Sequence, residues 1–91
     1  MMNRKEKMIR SMKEECLDKR DAILVKLSGR DISKIQDYEC DSFYALYSEL
    51  ARLSDNLIPY LSGAELQEYL KLKGLCESRA EKLMRQKKTK R

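Results

Sequence analysis

Apolar residues recur at spacings of three and four along most of the chain, and this periodicity constrains the fold more than any other feature. It marks one face of an α-helix, whereas a β-strand would need strict alternation. So narrow a stripe must be covered by neighbouring helices. Three segments carry such stripes: Ile9, Met12, Cys16, Ile23 and Leu27; Phe43, Leu46, Leu50, Leu53 and Leu57; and Leu66, Tyr69, Cys76, Ala80 and Leu83, with Lys73 as a misfit in the third.

Two breaks separate these segments. Gly29 suits the left-handed conformation that ends a helix, and Asp31 can then cap the next one. Pro59 lacks the N–H that a helix interior needs. Beyond it, Ser62 and Glu65 have the spacing of a capping box, which predicts the start of the third helix.

Three helices of similar length with short connections predict an all-α fold, an antiparallel three-helix bundle. The chain of 91 residues is long enough for one domain, so residues 1–91 are predicted to form a single helical domain. Ile32, Ile35 and Tyr38 continue the second stripe upstream with a slip near Asp41 and Ser42, where a kink or helix break is predicted.

The composition narrows the function classes. No run of eighteen apolar residues occurs, so we expect no membrane span. The three cysteines, Cys16, Cys40 and Cys76, are odd in number and widely spaced, which favours free thiols in a reducing cytoplasm. The chain has no histidine, the usual base for a nucleophilic cysteine. We therefore expect a non-enzyme without a cofactor.

One stretch partly resembles a calcium-binding loop. Asp37, Glu39 and Asp41 alternate, but Ser42 stands where such a loop needs glycine, and Ser48 stands where it needs glutamate. We expect no metal site there.

Gly74 allows two interpretations of the third segment. Gly74 followed by Leu75, with a second capping box at Ser78 and Glu81, is typical of a helix-turn-helix. However, the heptad stripe passes through Gly74 undisturbed, and one exposed glycine costs a helix only ~1 kcal/mol. A continuous helix is the favoured prediction, and a helix-turn-helix or a mere kink are the alternatives.

The charges are unevenly distributed. Residues 1–28 carry eight basic and five acidic side chains, residues 29–61 three and six, and residues 62–91 nine and four. Residues 85–91 form a basic C-terminal tail that we expect to be flexible. Such cations can neutralise phosphates. The alternative is a solvated terminus that stabilises the C-terminal end of the helix dipole and keeps the protein soluble. The predicted nucleic-acid-binding residues are Arg79, Lys82, Arg85, Lys87, Lys88, Lys90 and Arg91.

An aromatic cluster provides a competing surface. Tyr38, Tyr44 and Tyr47 lie among acidic residues, and tyrosine is enriched at interaction hot spots. The favoured interpretation is that they lie at the edge of the bundle, with their hydroxyl groups in contact with water.

Two function classes follow. The leading hypothesis is a small nucleic-acid-associated regulatory or accessory protein. The alternative is a protein-binding adaptor or inhibitor that docks a helical face on a protein target, with a homodimer as one form of it. Small immunity proteins and phage-type inhibitors share this size and architecture.

Overall fold

The computed structural model describes residues 3–89, and the side chains of residues 3–86. Within this range the chain forms three long helices: α1 (Arg4–Leu27), α2 (Asp37–Leu57) and α3 (Gly63–Thr89). Single 3₁₀ turns at Ile32–Lys34 and Ile58–Tyr60 lie in the two connections. The body is elongated, with extents of 54 × 20 × 18 Å. The predicted all-α three-helix bundle is confirmed.

The three helices run up, down and up, with α2 in the middle. Lys13 Nζ, in the first half of α1, lies 2.7 Å from Glu65 Oε2 at the start of α3. α2 packs extensively on α3 and also on α1, whereas direct packing between α1 and α3 is slight. The bundle is therefore open along one side, between its first and third helices.

The core follows the predicted stripes closely. Phe43 and Leu57 of α2 are fully buried, and Leu83 of α3 is 1% exposed. Ile9, Met12 and Leu46 are partly buried against this core. Lys73, the misfit of the third stripe, reaches outward, and its Nζ lies 2.9 Å from Asp55 Oδ1. The other buried apolar residues are Cys16, Ile23, Leu27, Ile32, Ile35, Cys40, Tyr47, Leu50, Ala51, Leu53, Tyr69, Cys76 and Ala80.

Hydrogen bonds from Arg30 stabilise the C-terminal end of α1. The left-handed conformation predicted for Gly29 (φ +77°) begins one residue earlier, at Ser28 (φ +52°). Arg30 Nε then donates to the carbonyl of Leu27 at 2.9 Å. The same guanidinium donates to both carboxylate oxygens of Glu39, at 2.9 and 3.2 Å. This contact lowers the pKa of Glu39 below its ordinary value of 4.5.

The start of the second helix differs from the prediction. Asp31 is a cap, as expected, but its carboxylate accepts from the N–H of Ile32 and begins only a 3₁₀ turn. The chain is extended at Ile35 and Gln36, and α2 starts at Asp37 with a capping box between Gln36 and Glu39. The break therefore lies before α2 and not at Asp41–Ser42, because the Glu39 box gives the helix a better start than Asp31 does.

The favoured prediction of a continuous third helix is confirmed, and the helix-turn-helix alternative is wrong. α3 runs unbroken from Gly63 to Thr89, through Gly74. Gly74 is exposed, and a Cβ built on it would meet nothing within 4 Å. The helix also includes residues 85–89 of the predicted basic tail, while Lys90 and Arg91 lie outside the described residues.

Gly74→Ala is expected to raise the free energy of unfolding by about 1 kcal/mol, because alanine removes the cost of glycine in a helix interior without a clash. Urea denaturation of both proteins measures the change. Gly29→Ala is the matched control and should destabilise, since its φ of +77° strains any residue with a Cβ. Destabilisation by Gly74→Ala would contradict the continuous, exposed helix.

Candidate functional site

Arg79, the first residue of the predicted nucleic-acid surface, is engaged inside the bundle. It is partly buried, and its Nη1 donates to the hydroxyl of Tyr47 on α2 at 3.2 Å. Its guanidinium carbon also lies 5.9 Å from the centre of the Tyr47 ring. Part of its donor capacity therefore holds α3 against α2 and is not available to a phosphate.

The other predicted cations have mixed surroundings. Lys82 is exposed, while Arg85 forms an ion pair with Glu81 one turn earlier. Asp31 adds a negative charge nearby: its pKa is lowered by hydrogen bonds from Ser33 and Ile32, and further by the charges of Lys82 and Arg79. The backbone of Lys87 and Lys88 is helical. Acidic groups thus offset part of the positive charge around Lys82.

The predicted tyrosine cluster is divided by the fold. Tyr38 is 85% exposed and Tyr44 is 40% exposed, so both are accessible. Tyr47 is only 4% exposed, because its ring packs into the core and its hydroxyl accepts from Arg79. A partner could reach Tyr38 and Tyr44 but not the ring of Tyr47.

The open side of the bundle forms a groove between α1 and α3, referred to below as the α1–α3 groove. It consists of two adjoining depressions of about 230 and 170 Å³ that share Arg20, Leu72 and Leu75. Its floor is apolar and includes Leu50 of α2, which is buried beneath the other two helices. The groove exists because α1 and α3 each pack on α2 and hardly on each other.

Leucines line both walls of the groove and remain accessible. On α1, Leu17 is 45% exposed and Leu24 is 57% exposed. On α3, Leu75 is 49% exposed, and Leu72 is partly buried beside it. These side chains lie off the core stripes by one position, so sequence periodicity alone did not single them out. The sequence signal that could have identified them is that they are leucines at positions outside the core stripes.

The charged residues lining the groove are mainly basic. Arg20 lines it from α1, and Lys71 and Arg79 line it from α3, against the single lining acid Glu68 among the described residues. Arg20, Lys71 and Glu68 are exposed. The groove therefore combines an apolar floor with positively charged edges.

A second, wider depression lies between α2 and α3. Tyr44, Ala51, Ala80 and Met84 contribute its apolar surface. Arg52, Asp55, Lys73, Glu77 and Glu81 surround it with both signs of charge. Lys73 and Asp55 pair across it, and its charges of both signs distinguish it from the mainly basic edges of the α1–α3 groove.

The buried thiols have little chemical reactivity. Cys16 and Cys76 are 2% and 1% exposed. Burial raises the pKa of both thiols, that of Cys76 to about 11, although the Ser54 hydroxyl partly opposes the shift at Cys16. Both remain protonated at neutral pH, and a protonated thiol is a poor nucleophile and metal ligand. Among residues 3–89, no group of cysteine, aspartate and glutamate side chains could hold a metal ion.

Comparisons with known proteins returned nothing: no family model, curated protein or solved structure matches the chain. Within the described part of the chain, no helix is both long and apolar enough to cross a membrane. The arguments about function therefore rest on the groove and the charges.

Proposed function

We propose that this chain is a non-enzymatic binding protein that takes up a segment of a partner protein in the α1–α3 groove. The observation that carries the proposal is the exposure of Leu24 and Leu75, at 57% and 49%, in the walls of one groove. Contiguous exposed apolar surface with a polar rim is typical of protein-interaction sites. An elongated groove between two helices suits the helix-in-groove mode of recognition.

Site-specific photo-crosslinking tests this proposal. A photoreactive phenylalanine analogue at Leu24 is expected to give a discrete crosslinked protein in the native cells. Val25 is the matched control, because it is the next residue of α1 and is 78% exposed. In a helix it points about 100° away from Leu24. The same analogue at Val25 should give far less product. Equal labelling at both positions, or none at Leu24, would contradict the proposal.

Nucleic-acid binding through the C-terminal region is the second candidate function. The observation that favours it is the continuous helix that carries Arg85, Lys87 and Lys88 toward the basic C-terminus, with Lys82 exposed on the same helix. Phosphates would be contacted without reading base sequence, because such cations act mainly through counterion release. The Glu81–Arg85 ion pair and the engagement of Arg79 weaken this candidate relative to the groove.

Fluorescence anisotropy with labelled duplex DNA and single-stranded RNA tests the second candidate. The variant replaces Lys87, Lys88, Lys90 and Arg91 with glutamine, which removes charge without shortening the chain. If four phosphates are neutralised, affinity for duplex should fall roughly 100-fold between 50 and 200 mM salt, and the variant should lose that dependence. Absence of binding at 50 mM salt would eliminate this candidate.

A further inference from the structure

We infer that the occupant of the α1–α3 groove is an acidic amphipathic helix of the partner protein. This inference rests on the proposed function and adds the chemistry of the ligand. It combines three observations: the spacing of the exposed leucines, the sign of the lining charges, and the consequence of that sign for a second copy of the chain.

The leucine spacing matches a helical ligand. Leu17 and Leu24 are two turns apart on α1, which corresponds to about 10.5 Å along the helix. Leu72 and Leu75 lie one turn apart on the opposite wall. A partner helix lying between the walls would bring apolar residues at i, i+3 or i+4, and i+7 against them. One apolar face of two to three turns is enough to contact all four leucines.

The charges that line the groove favour a negatively charged ligand. Two exposed cationic side chains, of Arg20 and Lys71, line the groove with one carboxylate, that of Glu68. Arg79 adds positive charge from a partly buried position, where one of its donors is held by the Tyr47 hydroxyl. Flanking glutamates or aspartates on a docked helix would meet these cations, whereas flanking lysines would be repelled. Because Arg20 and Lys71 are exposed, this attraction should weaken as salt is added.

The same charges disfavour a second copy of the chain as the occupant. In a symmetric dimer joined through the groove, the same surface of both copies meets, so two surfaces of net positive charge would be brought together. Like charges placed opposite each other in an interface are unfavourable. An acidic helix from another protein can pack on the leucines and also pair with the cations. A second groove can pack only on the leucines.

Designed peptides provide the test. Two labelled peptides of about 16 residues carry leucines at i, i+3, i+4 and i+7, one flanked by glutamates and the other by lysines. A third keeps the glutamates but scrambles the leucine positions. Anisotropy with the purified full chain should show the glutamate-flanked peptide binding at least about tenfold more tightly than either other peptide. Added salt should reduce this preference over the lysine-flanked peptide.

Charge reversal on the protein completes the test. Arg20→Glu with Lys71→Glu should abolish or reverse the preference for glutamate. Arg4→Glu with Lys7→Glu is the matched control, since it makes the same charge change at exposed positions in the first turn of α1, away from the groove. Circular dichroism confirms that both variants fold.

The possible failures are distinguishable. Equal binding of the glutamate- and lysine-flanked peptides, or binding of neither, overturns the acidic-helix inference. The proposed function would still stand if Leu24 crosslinks to a protein in cells. Concentration-dependent dimerisation that is lost with Leu24→Asp and Leu75→Asp would identify a second copy as the occupant and would also overturn the inference.

Discussion

Phe43→Ala is expected to lower the free energy of unfolding by about 3–5 kcal/mol, the usual cost of removing a large buried aromatic side chain. Phe43 is 0% exposed in the first third of α2, the helix on which both others pack. Lys26 Nζ of α1 lies 5.4 Å from the centre of its ring, so the substitution also removes a contact between α1 and α2. A domain of this size has only ~5–15 kcal/mol of stability in total.

Urea denaturation followed by circular dichroism measures this loss. Tyr38→Ala is the matched control, an aromatic-to-alanine change on the same helix at a side chain that is 85% exposed. It should alter the free energy of unfolding by no more than about 0.5 kcal/mol. Similar losses for the two variants would show that the position of Phe43 in the core is wrong.

The second large effect concerns the thiols. In the native protein, Cys16, Cys40 and Cys76 are expected to react with a disulfide reagent such as DTNB at least about 1,000-fold more slowly than in the unfolded chain. All three side chains are at most 2% exposed, so the reagent can reach a thiol only after local or global unfolding. The raised pKa of Cys76, about 11, slows the reaction further by keeping the thiolate fraction small.

Absorbance at the DTNB product band, with and without denaturant, measures this protection. Ser78→Cys supplies the control, because Ser78 is exposed and lies two residues after Cys76 on α3. In that variant one thiol should react rapidly while three remain protected. Rapid reaction of any native thiol without denaturant would contradict its burial.

The sequence predicted the parts of the fold that depend on local pattern. Spacing alone places Cys76, Ala80 and Leu83 in one stripe, and all three are buried. Periodicity succeeds here because an apolar stripe on a charged helix has one stable solution, burial against its neighbours. Gly29 was assigned to the end of α1 correctly because few residues tolerate a positive φ.

The connection before α2 could not be predicted with the same accuracy. Ile32 and Ile35 continue the apolar period, and both are buried, but they reach the core from a 3₁₀ turn and an extended residue. Besides the Glu39 capping box, the Arg30–Glu39 ion pair joins residues nine positions apart across this connection. Apolar periodicity reports residues that lie three or four positions apart on one helix. It cannot reveal an ion pair between residues on either side of a connection.

The existence of the groove and the contacts of Arg79 both depend on how the helices pack on one another. Leu24 and Leu75 look like ordinary off-stripe residues until α1 and α3 are seen to pack on α2 rather than on one another. The sequence suggests that Arg79 is a free cation, but in the fold its Nη1 lies 3.2 Å from the Tyr47 hydroxyl of α2. Both features arise from tertiary placement, which the sequence of a single chain does not encode locally.

The unequal packing of the three helices has a consequence for local unfolding. α1 is held almost entirely by one neighbour, whereas α2 has two, and the α2–α3 interface is the more extensive. Detaching α1 would break one interface and leave a packed helical hairpin behind, while detaching α2 would dismantle the whole bundle. α1 is thus the element that opens at the lowest free-energy cost, and its amides should exchange with deuterium before those at the centres of α2 and α3.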